Sequence, residues 1–487
     1  MKPSNQLRQA GVLLHISSLP LGVFGQNAYR FVDFLHACKA KVWQTLPLNM
    51  PHADGSPYQC LSAHAGNPAF ISMEMLADQH LISVGDLVSY GLNQSEENRQ
   101  LLIEKAYVTL MADESSAQFV AFKGFCRKHA SWLNDFALFL VLRKQFNCTS
   151  WNTWPTPYKL HDHNTLADVK KQHAEEINVI KFTQFLFFGQ WSALKKYAHK
   201  KGIKLFGDIP IFVAYDSADV WASPHLFKLD KRCNMKVVAG VPPDYFSATG
   251  QRWGNPHYNW GVMKEDGYQW WLSRMVTQNS LFDMLRIDHF RGLQAAWEIP
   301  ASEETAMNGK WHRAPGAELL AAIKERFPKM CLVAEDLGVI TAQVNALRNK
   351  FKLPGMKILH FAFGGGDDNY YLPANIEANS VVYTGTHDND TTLGWYNTLE
   401  FKAKQHLHAI LGSETPHMPH DLVSLVLNTK ANLAIIPMQD ILALDGAHRM
   451  NMPGTIDNNW VWHFEWSQLT ADLKQQFKQA IAQSGRA

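Results

Sequence analysis

The chain has 487 residues, too many for one ordinary domain and enough for a large barrel with insertions or for two or three domains. Apolar residues make up 46% of it, ample for a sizeable core, and a formal charge of +2 gives no ground for expecting nucleic acid or an anionic membrane as partner. The six cysteines (Cys38, Cys60, Cys126, Cys148, Cys233 and Cys331) lie far apart with no CxxC pair. That spacing favours free thiols in a reducing compartment over a disulfide framework or a zinc ribbon. Residues Met1–Arg8 lack the apolar core of a signal peptide, and no uninterrupted apolar segment is long enough to span a bilayer. A soluble, cytoplasmic protein is expected. The 16 Trp and 14 Tyr supply flat faces that can stack on sugar rings, although such residues also fill cores.

In chain order, Gly11–His15 is an apolar strand candidate, residues 28–40 carry Phe31, Phe34, Leu35 and Cys38 at helical spacing, and Lys41–Leu48 is a second strand. Strand, helix, strand within so short a span is the rhythm of a parallel sheet. Residues 54–68 form a loop rich in Gly, Pro and small polar residues, too long for a plain connector and of the kind that binds ligands. Residues 75–180 break the rhythm. They are mostly helix-forming, with 117–129 and 132–146 the clearest amphipathic pieces, and read as a helical insertion into the main domain. A helix over 182–201 and a strand over 203–213 resume the pattern. Residues 216–260 are loop-rich, with Tyr245, Phe246 and Trp253 among turn residues, where aromatics are less easily assigned to a core.

Beyond a helix near 268–276, strand candidates recur at 283–288, 330–335, 356–363, 380–388 and 433–440, with helices near 317–327 and 341–351. Eight β/α units predict an α/β fold of the (β/α)₈ barrel class. A doubly wound sheet is the competitor, but no GxGxxG or GxxxxGK[ST] follows any strand, which counts against nucleotide binding.

Three of these strands end in acid, at Asp288, Glu335 and Asp388, and Asp208 is a possible fourth. Active-site residues of barrel enzymes sit at the carboxyl ends of strands. One acid there could cap the following helix; three converging on one mouth repel one another unless function requires them. Arg286 and Asp288 alternate onto the same side of their strand, so Arg286 would hold the Asp288 carboxylate ionised, either as a nucleophile or as half of a structural ion pair. His289 and His387 flank the acids, which keeps a metal site open, yet there is no HExxH, no HxH at a strand end and no EF-hand loop. Glycosyl chemistry needs only two carboxyls, one as nucleophile and one kept protonated, and is the favoured alternative.

Several stretches carry a family resemblance: Ser56-Pro-Tyr-Gln59 with Gly66-Asn-Pro68, Gly207-Asp-Ile-Pro-Ile-Phe-Val213, Pro242-Pro-Asp-Tyr-Phe246 and Gly250-Gln-Arg-Trp-Gly-Asn-Pro256. They continue with Arg286-Ile-Asp-His-Phe-Arg-Gly292, Trp297-Glu-Ile-Pro300, Ala334-Glu-Asp-Leu-Gly338, Gly385-Thr-His-Asp-Asn-Asp390 and Arg449-Met-Asn-Met-Pro-Gly-Thr455. In this order and at these intervals the chain resembles the 4-α-glucanotransferases (amylomaltases) of glycoside hydrolase family 77, over nearly its whole length. The resemblance implies one catalytic barrel over 1–487 without a C-terminal β-domain, acting on maltooligosaccharides and glucose with no metal and no cofactor. It implies a retaining double displacement in which Asp288 attacks the anomeric carbon. Glu335 would serve as acid and then base, and Asp388 would hold the 2- and 3-hydroxyls of the sugar being cleaved. Arg286 would keep Asp288 ionised and His387 would bond the same sugar. Tyr58, Asp208 and Asn389 are implied as further substrate contacts, and Tyr245 and Phe246 match a loop over the cleft. The oligomeric state is left open.

Overall fold

Eight short apolar runs pair side by side into a closed parallel barrel: β1 (Gln9–Leu13), β2 (Val42–Gln44), β3 (Lys204–Pro210), β4 (Met284–Asp288), β5 (Cys331–Ala334), β6 (Gly355–Ile358), β7 (Ser380–Tyr383) and β8 (Leu433–Pro437). The computed structural model describes residues 8–243 and 247–487. Each strand pairs with its chain neighbour, and β1 closes the ring against β8 in the register Gly11↔Ile435. Gly11 is required there, since a Cβ at this position would lie 2.6 Å from both the Ile435 Cδ1 and the Val42 carbonyl oxygen. The strands are buried on both faces, which is why they read as near-continuous apolar runs rather than alternating ones.

All eight expected strands are present; the first is shifted to Gln9–Leu13, and the other seven are shorter than the apolar runs that announced them. The second stops at Gln44 rather than Leu48, the seventh at Tyr383 rather than Asp388, and the eighth at Pro437, where a short helix over Met438–Ile441 begins. Helices cover the outside: Gln26–Ala37 after β1, Ala174–Lys200 before β3, Gln269–Leu281 before β4, Gly316–Arg326 before β5 and Ala342–Lys350 before β6. The link from β6 to β7 departs from strict β/α alternation, with only the 3-10 turns Leu359–Phe361 and Pro373–Asn375.

Between β2 and β3, helices occupy most of residues 73–200. Ala117–Lys128 starts at Ser116, whose side chain accepts the Phe119 N–H, and Ala130–Gln145 follows almost at once. Both pack on Ala174–Lys200, which is longer than the 182–201 helix expected from the sequence and serves the barrel at one end and the helical layer along its length.

A four-stranded antiparallel sheet, not foreseen, sits on the mouth side. Its order is Gln251–Pro256, Val237–Val241, Ala295–Pro300, Lys310–Arg313, so it joins the segment after β3 to the segment after β4. Among the described residues no strand follows Pro437, and no helix is long and apolar enough to cross a membrane.

Candidate active site

The register Asp208↔Arg286 and Pro210↔Asp288 between β3 and β4 sets the floor of the site. Arg286 is buried and forks: one nitrogen, Nη2, donates to Asp288 Oδ1 at 2.7 Å and the other, Nη1, to Asp208 Oδ2 at 2.5 Å. Tyr58, from the loop after β2, donates its hydroxyl to the same Asp208 oxygen at 2.8 Å. Its oxygen also lies 2.9 Å from His387 Nε2. The phenol has one proton, and giving it to Asp208 leaves it to accept from His387, which places the imidazole proton on Nε2. Burial pushes the His387 pKa down, so the ring is neutral and this tautomer is its only donor form on that side. The Tyr58 and His387 rings stack at 5.3 Å.

Glu335 is the first residue past β5 and is tied to the Asp288 loop by its backbone and by its side chain. Its N–H donates to the Ile287 carbonyl at 3.1 Å and its carbonyl accepts the Phe290 N–H at 3.1 Å. The carboxyl accepts the His289 N–H on Oε2 at 2.6 Å and the Leu337 N–H on Oε1 at 2.9 Å. His289, next to Asp288, is held in a left-handed conformation with φ 49°, which costs a non-glycine residue roughly 1–2 kcal/mol. Two acids from adjacent strands are thereby fixed side by side.

Their environments set their protonation. Burial pushes Glu335 up to about 7, the Asp288 charge adds to that shift, and Arg286 and the two N–H donors oppose it. Burial likewise raises Asp288, to about 6, against the pull of Arg286, while Asp208 and Asp388 push the same way as burial. Sequence reasoning expected Arg286 alone to keep Asp288 ionised. In the free cleft its effect is offset by desolvation and by two neighbouring carboxylates. The Asp288 side chain keeps 29% of its surface open to the cleft, so solvent softens its shift.

Asp388 lies five residues past the end of β7, in a turn rather than in the strand expected to carry it. It is more open than Asp288, at 44% side-chain exposure against 29%, with Oδ2 3.3 Å from His387 Nε2 and Oδ1 accepting the Asn451 side-chain N–H at 2.6 Å. Asn389 closes that turn: its side-chain oxygen accepts the Thr386 N–H at 2.8 Å and lies 2.9 Å from Thr386 Oγ1. The carbonyl end of Asn389 is thus engaged by the fold.

Asp208 requires a correction. Expected as a substrate contact, it has no exposed side-chain surface and spends Oδ2 on Arg286 and Tyr58, so it acts on the cleft through those two groups. Tyr245 and Phe246 lie outside the described residues. Sequence reasoning assigned no role to three residues that the fold brings to the site: Arg449, Asn451 and Trp460. The signal was present in the Arg449–Thr455 stretch, which follows β8 and so falls on the catalytic rim of a barrel. A groove of about 440 Å³ is bordered by His15, Asn49, Phe70, Arg99, Trp460 and His463. Among the described residues no three His, Cys, Asp or Glu side chains are grouped so as to hold a metal ion.

Paired carboxyls of raised proton affinity, a guanidinium under one of them and a third acid open to the cleft are the equipment of glycosyl transfer. Comparison with known proteins agrees. The family model described as 4-alpha-glucanotransferase matches residues 14–470. The 4-alpha-glucanotransferase of Thermus thermophilus is 45% identical over 473 residues, spanning 93% of this chain and 94% of its own. The chloroplastic/amyloplastic 4-alpha-glucanotransferase of Solanum tuberosum is 40% identical, spanning 99% of this chain and 87% of its own. The amylomaltase of Streptococcus agalactiae, solved in complex with acarbose, superposes with a TM-score of 0.94 at 36% identity over 99% of this chain and 100% of its own. The chain therefore belongs to the 4-alpha-glucanotransferases of glycoside hydrolase family 77, enzymes that transfer segments of glucan.

Proposed function

We propose that this protein moves segments of 1,4-α-glucan to the 4-hydroxyl of glucose or a maltooligosaccharide, using Asp288 as nucleophile and Glu335 as acid and base. The observation that carries the assignment is the tie between the two acids. Glu335 accepts the N–H of the residue following Asp288, and burial raises the proton affinity of both carboxyls. In the first step Asp288 bonds to the anomeric carbon and the glycosidic C–O bond breaks. Glu335 gives its proton to the departing 4-oxygen. In the second step the Glu335 carboxylate takes the proton of an acceptor 4-hydroxyl, whose oxygen displaces Asp288 and restores the α-linkage. A retaining pair requires a carboxyl separation of about 5–5.5 Å. Asp388 and His387 meet the hydroxyls of the sugar at the cleaved bond, and Tyr58 and Arg286 hold His387 and Asp288 for that contact.

Transfer wins over hydrolysis when a sugar held in line outcompetes water. The loop-rich 216–260 segment, with Tyr245 and Phe246, would cover the cleft for this purpose, while the 75–180 helices form a separate inserted layer. The relative solved with acarbose supports maltooligosaccharides as substrates. The six free thiols support a reducing, cytoplasmic setting.

The test is incubation of the pure protein with maltotriose. Glucose together with a ladder of longer oligosaccharides is the expected product pattern; maltose and glucose alone would mean that water is the acceptor. The pH profile is a second expectation. Activity needs Asp288 ionised and Glu335 protonated, so kcat/KM should rise with pH through a limb near 6 and fall through a limb near 7. The two limbs belong to the interacting pair. Glu335→Gln should remove the alkaline limb, and a flat profile between pH 5 and 8 would contradict the assignment.

A further inference from the structure

Asp388 poses a mechanical problem. Unlike Asp288 it is not part of a barrel strand, and unlike Glu335 its carboxylate accepts no backbone N–H among the described residues, yet it has to meet sugar hydroxyls in a fixed pose. We propose that Arg449 and Asn451, from the loop after β8, are positioning residues of the transfer reaction that act through Asp388. The inference rests on the role given to Asp388 above.

Three bonds carry it. The side-chain amide of Asn451 donates to Asp388 Oδ1 at 2.6 Å. Arg449 Nη2 donates to the backbone carbonyl of Asp388 at 2.6 Å, and its Nε donates to the backbone carbonyl of Asn451 at 2.6 Å. One guanidinium thus staples the turn after β7 to the loop after β8, and the stapled loop presents an amide to the carboxylate. Asn451 is buried, with 9% of its surface exposed, so it does not trade this bond for water.

The loop is itself closed. The Trp460 N–H donates to the Met450 carbonyl at 2.9 Å, the Met452 N–H donates to Asn459 Oδ1 at 2.9 Å, and Asn459 Nδ2 donates to the Thr455 carbonyl at 2.9 Å. Trp460 then lays its ring against Tyr58 and His387, at 5.9 and 6.0 Å between centroids. A single loop therefore braces both Asp388 and its histidine neighbour. With Oδ1 taken by Asn451, the Oδ2 edge beside His387 is left to bond the sugar, and the carboxylate does not have to be ordered anew in each turnover.

The test is a double-mutant cycle on the full-length protein with a maltosyl fluoride donor, chosen so that slow variants remain measurable. Asn451→Ala should lower kcat about 10- to 100-fold with KM within about twofold, because a misplaced carboxylate costs transition-state contacts more than ground-state binding. In an Asp388→Ala background the same change should cost less than about twofold, as expected of residues acting as one unit. Asn451→Asp is isosteric and keeps the packing, so it serves if the alanine variant is poorly folded. It should lose at least as much, since it sets a second carboxylate against Oδ1. Arg449→Ala should follow Asn451→Ala.

Equal losses in both backgrounds would overturn the proposal, showing that Asn451 acts on the substrate or the fold directly. If Asp388→Ala is crippled while Asn451→Ala is silent, the proposal alone fails. If Asp388→Ala is itself fully active, the role given to Asp388 fails and the proposal with it.

Discussion

Asp288→Asn is expected to abolish disproportionation, with kcat for maltotriose falling at least ~10⁴-fold, as loss of a nucleophile generally does. The amide is isosteric and can still accept from Arg286 through its oxygen, so the fold should survive. What disappears is the charged oxygen that bonds to the anomeric carbon. Burial and the neighbouring Asp208 and Asp388 make the ionised Asp288 costly in the folded chain, so removing its charge should leave the thermal midpoint at pH 7 unchanged or raised. A loss of activity without a loss of stability separates a nucleophile from half of a structural ion pair. Breaking such a pair would leave the buried Arg286 without a partner on that side and lower the midpoint instead.

Glu335→Gln is the second large effect, and it should depend on the leaving group. With maltotriose the loss should be about 10²- to 10⁴-fold, the usual worth of a positioned general acid and base. With a glycosyl fluoride donor the first step needs no proton from Glu335, so fluoride release should recover toward the parent rate for one turnover. The second step still lacks its base, and the covalent intermediate should accumulate. Steady-state transfer assays paired with a fluoride electrode measure both. An equal loss with the two donors would deny Glu335 the role of acid.

The barrel was legible because strands buried on both faces leave unbroken apolar runs, and the acids were legible because they close those runs. Arg286 and Asp288 could be paired from sequence since they are two residues apart on one strand. Other features depend on pairing between distant segments. The mouth sheet joins residues near 240 and 251 to residues near 297 and 311, a pairing of distant segments that leaves no local pattern in the sequence. Asp208 was misread for the same reason: only the register that sets it opposite Arg286 reveals that its Oδ2 is engaged beneath the cleft. The Asn451–Asp388 bond spans two loops and has no periodicity to betray it. The resemblance to family 77 supplied roles, and the hydrogen bonds supplied the connections between them.

The central claim is that Asp288 becomes covalently attached to the glucan. The most direct test treats the Glu335→Gln variant with a maltosyl fluoride, digests it with protease and identifies the modified peptide by mass spectrometry. The account predicts a single maltosyl adduct on the peptide carrying Asp288. An adduct on any other residue, or fluoride turnover with no adduct and an inverted product anomer, would contradict it.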